Sequence, residues 1–245
     1  MWEGRAVVEG VVARVEVSIL AYAERTAQRK LDSAMQGTSA LRHKPHGVVA
    51  VLGPFNMPAL VPAGHIVPAL IAGNAIVFKP SEKAPATGHF LANCFHKAGI
   101  PAALVQVVNG GPEAGMALAA HDGVDGVLFT GSAHAGIAIN RKLAIRPDKI
   151  VALEMGGNNP IVVWDTPKIT DAAVLIVQSA FSTAGQRCTA ARRLIVKSSL
   201  YDAIVGEVKK LSDRIITGAP FDEPVPFMGP VIDNMAADGL TESFL

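Results

Sequence analysis

Residues 47–82 read GVVAVLGPFNMPALVPAGHIVPALIAGNAIVFKPSE, and from Val48 to Phe78 they contain no Asp, Glu, Lys or Arg. That length of uncharged chain would cross a bilayer, but Gly53, Pro54, Pro58, Pro62, Gly64, Pro68 and Gly73 interrupt it, and a run so punctuated is read as buried α/β core. Its ends, GVVAVLG and AIVFKP, are short, β-branched and bounded by Gly or Pro, so both are predicted strands joined by a helical segment. Outward from this unit the pattern repeats. Pro85 opens a predicted helix to Lys97, closed by Gly99, and LVQVVNG follows as a strand. A helix over Glu113–His121 and the strand GVLFTG complete the alternation, which at βαβ spacing predicts a Rossmann-like parallel sheet with helices on both faces.

Upstream, Val7, Val11, Val15, Ile19 and Tyr22 recur at three or four residues between Trp2 and Gln28, the spacing of an amphipathic helix. Downstream, a helix from Ala133 to about Ile145, the strands KIVALEMGG and PIVVW, a helix from Thr170 to Ala184, the strand RRLIVKS and a helix from Leu200 to Ile216 are expected. Thr217–Pro230 is Gly- and Pro-rich loop, and a last helix begins after Val231. With no repeat or flexible linker, the boundary is expected at the Gly156, Gly157 turn, which gives a domain over 1–157 and the start of a second α/β domain over 158–245.

Composition limits the function. The 245 residues are 50% hydrophobic and 5% aromatic, with 22 basic against 21 acidic residues and a net charge of +1. Such a balance offers no broad field for nucleic acid, so function must come from local sites. Two cysteines, with no CxxC pair, argue against a disulfide scaffold or a zinc site and for a reducing cytoplasm. Glu3 and Arg5 stand where a signal peptide would be apolar, and neither export nor membrane insertion is expected.

Five segments carry candidate chemistry. In FTGSAHAG a strand runs into Gly131, Ser132, Ala133, His134, Ala135 and Gly136 at the start of a helix, where free N–H groups and the helix dipole suit a pyrophosphate. A tight turn with Ser132 as N-cap is the plainer alternative. FKPSE puts Lys79, Ser81 and Glu82 at the carboxyl end of a parallel strand, where ligands of open sheets gather. A carboxylate there disfavours a 2′-phosphate and so favours NAD over NADP, against the alternative of a solvated loop with a local ion pair. In GQRCT, Cys188 lies in a polar turn beside Arg187, as a nucleophilic thiol requires, although a packed turn cysteine reads the same way. Cys94, in LANCFHKAG, is expected in the core. Glu154 sits in the apolar run LEMGG, where a carboxylate either finds hydrogen bonds or becomes a general base near neutral pH. Asn56, in GPFNMP, is a neutral donor suited to an oxyanion. The histidines show no elbow or metal spacing, and His43, His46 and His65 are expected at turns or on the surface.

Taken together, GPFNMP, FKPSE, FTGSAHAG, LEMGGNNP, GQRCT and GPVID stand in the order and approximate spacing of the aldehyde dehydrogenase superfamily, which nearly the whole chain resembles. The resemblance implies that Cys188 is the nucleophile, Glu154 the general base, and Asn56 an oxyanion donor with the Cys188 backbone N–H. It implies that Lys79 and Glu82 hold the adenosine ribose of NAD, and that Gly131–Gly136 and the Gly156 turn line the cofactor. A small-molecule aldehyde substrate and, at full length, a homo-oligomer are implied as well. The sequence departs from the family in two respects. The family is roughly twice this length, so an incomplete chain is expected, and His134 and Ala135 replace the common glutamate and valine. A non-catalytic nucleotide-binding module is the competing reading.

Overall fold

A computed structural model describes residues 2–32 and 37–244. The chain forms two compact units, one of residues 4–155 and one of residues 1–3 with 156–245.

The larger unit is built on β3 (Val48–Leu52), β4 (Ala75–Lys79), β5 (Val105–Val107), β6 (Gly126–Thr130) and β7 (Ile150–Glu154). These five strands lie in the order β5-β4-β3-β6-β7, and every neighbouring pair is parallel. Alternation along β3 supplies both faces of the core. Ala50 and Leu52 pack with Val127 and Phe129 against α4 (Pro112–Ala120) and α5 (Ala133–Leu143) through Ala119, Ile139 and Leu143. Val49 and Val51 pack with Ile76 and Phe78 on the other face, under Ile66 and Ala69 of α2 (Leu60–Ile71) and Leu91 of α3 (Pro85–Lys97). Burying one such aliphatic or aromatic side chain is worth about 1.5–3 kcal/mol, so these two layers dominate the unit's stability. The charge-free stretch that imitates a membrane span is therefore this strand–helix–strand core. Among the described residues no helix is long and apolar enough to cross a membrane.

The chain turns to one side of β3 to make β4 and β5, then crosses to the other side to make β6 and β7. A crevice at such a reversal, outside the carboxyl ends of the strands, is where open α/β sheets bind ligands.

Before this sheet, α1 (Trp2–Thr26) and the short antiparallel pair β1 (Arg29–Leu31) and β2 (Ser39–Leu41) are more exposed than the spacing implies. Of the expected apolar stripe of α1, Val7 and Val11 are half-buried, whereas Val15, Ile19 and Tyr22 are exposed. Gly10 explains the contact at the first of these turns, since a Cβ there would lie 3.0 Å from a methyl of Leu60 on α2.

A second close approach fixes the loop that follows β4. A Cβ on Gly88 of α3 would come within 2.5 and 2.6 Å of the Pro80 ring and 3.4 Å of Phe78. Neither ring can yield without moving the backbone beside Lys79. Gly88→Ala is therefore expected to cost about 1–3 kcal/mol, the usual penalty for overpacking, read as a lower urea midpoint at unchanged slope. An unshifted midpoint would mean that α3 lies further from the loop.

In the smaller unit, β8 (Asn159–Val163) and β9 (Ala191–Val196) form a parallel pair. α6 (Ile169–Phe181) and α7 (Tyr201–Ser212) cover one face of the pair, Val163 and Leu194 packing with Ile176 and Ile204. Helix α6 stops three residues before the expected Ala184 because Ser182–Gly185 turns into a 3-10 segment, and α7 stops four residues before Ile216. The last helix, α8, spans Asn234–Phe244.

Candidate active site

Within the larger unit, Asn56, Lys79, Ser81, Glu82, Gly131–Gly136 and Glu154 all follow or end strands at one edge, the carboxyl edge, of the five-stranded sheet. Asn56 comes after β3 and Thr130 ends the neighbouring β6, so these two flank the reversal of strand order. The Asn56 side-chain oxygen accepts from the Met57 N–H at 2.9 Å.

At the end of β4, Lys79 is 6% exposed, yet it carries a charge. Its Nζ donates to the Pro80 carbonyl at 2.8 Å and stands 3.7 Å from the half-exposed Glu82 carboxylate. A local ion pair is present, but the lysine is buried rather than solvated as the plainer reading of this loop has it. Ser81 is also buried, its Oγ accepting from the Lys83 N–H at 3.2 Å. The lysine stem runs beside Gly115 of α4, where a Cβ would sit 3.4 Å from Cε. Lys79 and Glu82 thus place a buried cation beside a half-exposed anion at the same edge.

After β6 the chain enters α5 with Ser132 as N-cap, its Oγ accepting from the Ala135 N–H at 3.2 Å. The Gly131 N–H donates to the Glu154 carbonyl at 3.1 Å, which ties this turn to β7. Helical geometry leaves the N–H groups of Ala133 and His134 without an intrahelical carbonyl, and both residues are exposed. The N-cap reading and the anion-site reading are therefore compatible: Ser132 serves one amide and two remain at the positive end of the dipole. Gly136 has a packing role, since a Cβ there would lie 2.6 Å from the Met155 sulfur.

Glu154 ends β7, the edge strand, opposite Thr130 of β6. The expectation that it is enclosed in an apolar run is corrected, because its side chain is exposed. Position along the strand accounts for this: Val151–Leu153 of β7 are half-buried, and Glu154 is the residue at its carboxyl end. His65 is a second correction. Rather than lying in a turn or on the surface, it sits half-buried on α2 with Nε2 3.0 Å from Thr130 Oγ1. Burial holds its imidazole below the ordinary pKa; the Glu154 carboxylate opposes that shift and the Arg14 cation adds to it. Of His43, His46 and His65, this is the one that lies neither in a turn nor on the surface. Its period on α2 was the available signal.

The smaller unit holds Gly156 and Cys188. Cys188 is exposed in the turn between the 3-10 segment and β9. Its carbonyl accepts from Asn159 Nδ2 at 2.6 Å, and the same amide donates to the Ala190 carbonyl at 3.1 Å. Asn159 was not singled out from the sequence, although GGNNP placed it beside a motif that was. Gly157 lies against this same point, a Cβ there falling 3.1 Å from the Cys188 carbonyl oxygen. Arg192 and Arg193 donate to the carbonyls of Gly185 and Asn158, so they hold the turn's backbone.

Before the cysteine, Thr183, Ala184 and Gly185 are all left-handed, at φ 59°, 53° and 69°. Glycine accepts this region freely, but a β-branched threonine there stores strain of about 1–3 kcal/mol. Cys94 is the other free thiol. It was expected in the core and is exposed, because on α3 the buried positions are Gly88, Leu91 and Ala92 while residue 94 faces outward.

The pattern of the aldehyde dehydrogenase family matches residues 1–244, and the chain belongs to that family. The chain is 77% identical over its whole length to N-succinylglutamate 5-semialdehyde dehydrogenase of Novosphingobium aromaticivorans, covering 52% of that protein. It superposes on γ-glutamyl-γ-aminobutyraldehyde dehydrogenase of Burkholderia cenocepacia with a TM-score of 0.90 at 34% identity, over 96% of this chain and 48% of that one. It also matches the glyceraldehyde-3-phosphate dehydrogenase GapN of Methanocaldococcus jannaschii, solved in complex with NADP, with a TM-score of 0.87 at 28% identity, over 98% and 52% of the two chains. The chain spans about half the length of the curated relatives it matches.

Proposed function

We propose that residues 1–157 bind the cofactor and residues 158–245 begin the catalytic domain of an NAD-dependent N-succinylglutamate 5-semialdehyde dehydrogenase. The enzyme would act in the cytoplasm on arginine-derived aldehyde and, at full length, as a homo-oligomer. The observation that carries the reading is the exposed thiol of Cys188 on a strained turn whose carbonyl is pinned by Asn159. The named relatives supply the substrate.

A dinucleotide fits the donor set at the sheet edge. The Ala133 and His134 N–H groups suit its pyrophosphate, and the Lys79–Glu82 pair suits ribose hydroxyls, with the carboxylate as acceptor and the ammonium as donor. The cofactor, when bound, accepts the hydride. The rest is done by side chains. The Cys188 thiolate adds to the aldehyde carbon, and the new oxyanion takes hydrogen bonds from Asn56 and from the Cys188 N–H. Loss of hydride leaves a thioester on the sulfur. Glu154 then removes a proton from water, whose oxygen attacks the thioester carbon, and the thiol leaves as the carboxylic acid forms. An exposed carboxylate at a strand end is reachable by water, which this step requires.

Glu82 makes the choice of cofactor testable. Its carboxylate repels a 2′-phosphate across a few ångströms of largely aqueous space, an interaction of about 1 kcal/mol. Glu82→Gln is accordingly expected to raise kcat/KM for NADP relative to NAD by about tenfold or less. An unchanged ratio would remove Glu82 from the ribose. The substrate is tested by comparing NADH formation from N-succinylglutamate 5-semialdehyde with that from a neutral aldehyde of similar length; equal kcat/KM would overturn that assignment.

A further inference from the structure

The turn that leads to Cys188 holds two non-glycine residues in the left-handed region, and a distant side chain is bonded to the first of them. A Glu3 carboxylate oxygen accepts from the Thr183 N–H at 2.6 Å and from Thr183 Oγ1 at 3.2 Å. Hydrogen bonds to an ionised carboxylate are short and about twice as strong as neutral ones. They fall on the first residue of the left-handed arc, the β-branched one that least tolerates it.

Everything up to the sulfur is then built from that arc. The Thr183 carbonyl accepts from the Gln186 backbone N–H at 3.0 Å and from Gln186 Nε2 at 3.0 Å. The Gly185 carbonyl accepts from the Arg187 N–H at 2.9 Å and from Arg192 at 3.3 Å. Gln186 also accepts through Oε1 from the Ile232 N–H at 2.9 Å. Cys188 itself is held on its carbonyl by Asn159. Residues 186–188 thus leave from an arc whose carbonyls are bonded by Gln186 and Arg192 and whose first residue is bonded by Glu3.

We propose that Glu3 is a positioning residue for the nucleophile: its carboxylate clamps Thr183 in the left-handed region and so aims the Gln186–Cys188 backbone. The proposal rests on the reading of Cys188 as the nucleophile. Glu3 touches no reacting atom.

The test is the rate at which iodoacetamide alkylates Cys188 relative to Cys94 in the same molecules, measured by peptide mass spectrometry on the chain. Glu3→Ala is expected to lower the Cys188 to Cys94 ratio by about fivefold or more, the factor that releasing about 1 kcal/mol of strain implies. Glu3→Gln keeps an acceptor oxygen and is expected to stay within about twofold. The discriminating variant pairs Glu3→Ala with Thr183→Gly. Glycine adopts the arc without a clamp, so the ratio should return to that of the parent, which a contact that merely adds stability would not produce. A parent-like ratio in Glu3→Ala, a ratio that Thr183→Gly fails to restore, or a rise to the rate of the urea-unfolded chain would each overturn the proposal. Retained turnover in Cys188→Ala would instead overturn the nucleophile reading, and the alkylation ratios would still report on the clamp.

Discussion

Cys188→Ala, in the protein expressed at the length of its relatives, is expected to lower NADH formation from N-succinylglutamate 5-semialdehyde by at least about 10³-fold. Removing a nucleophile abolishes the covalent route and leaves only what binding and oxyanion donors supply, and comparable losses elsewhere run from about 10³ to 10⁶. The change is local. Cys188 is exposed, and its backbone is held through its carbonyl by Asn159, which alanine preserves. Stability should therefore change little. Cys94→Ala provides the comparison, since that thiol is also exposed but lies on α3, and its turnover should match the parent. Turnover retained without the Cys188 thiol would end the covalent mechanism.

Glu154→Gln separates the two chemical halves of the reaction. On the proposed mechanism, capture of the aldehyde and hydride loss would not need this carboxylate, but hydrolysis of the thioester would. A rapid burst of NADH followed by a steady rate lower by about 10²–10⁴-fold is the expected trace, the span that general acid–base catalysis commonly contributes. The substitution keeps the side chain's shape, and the Glu154 backbone carbonyl still receives the Gly131 N–H. A structural explanation for the loss is thereby avoided. A parent-like steady rate with no burst would show that hydride transfer limits both proteins and that Glu154 does not activate the water.

Legibility in the sequence varied with the range of the forces involved. β3, β4 and α3 were readable from punctuation alone: Gly47 and Gly53 bound the first, Pro80 ends the second, and Pro85 and Gly99 bracket the helix. Ser132 as an N-cap was equally local. The left-handed arc was not readable, because Ser-Thr-Ala-Gly contains no residue that demands it before Gly185, and the group bonded to its first residue is 180 positions away at Glu3. Exposure was misread for similar reasons. Apolar neighbours in LANCFHKAG suggested a core thiol, but a helix buries by angle, and residue 94 points away from the face of Leu91. Glu154 looked enclosed because its strand is apolar, yet it is the last residue of β7, beyond the half-buried Val151–Leu153. The pair β1 and β2 left no signal at all, each strand being three residues long and largely exposed. The catalytic roles stand apart from all of these. Spacing could nominate Cys188, Glu154 and Asn56, but only the resemblance of ordered motifs joined them in one reaction.

The division of the chain has a spectroscopic consequence. Its two tryptophans, Trp2 and Trp164, both belong to the smaller unit. Trp2 rests 6.0 Å from the Phe227 ring and donates its indole N–H to the Phe227 carbonyl, while Trp164 is 70% exposed with Lys197 above its ring. Intrinsic indole emission therefore reports on the unit that carries Cys188, whereas circular dichroism sums over both, so comparing the two optical probes would show whether the units melt together, without any introduced label.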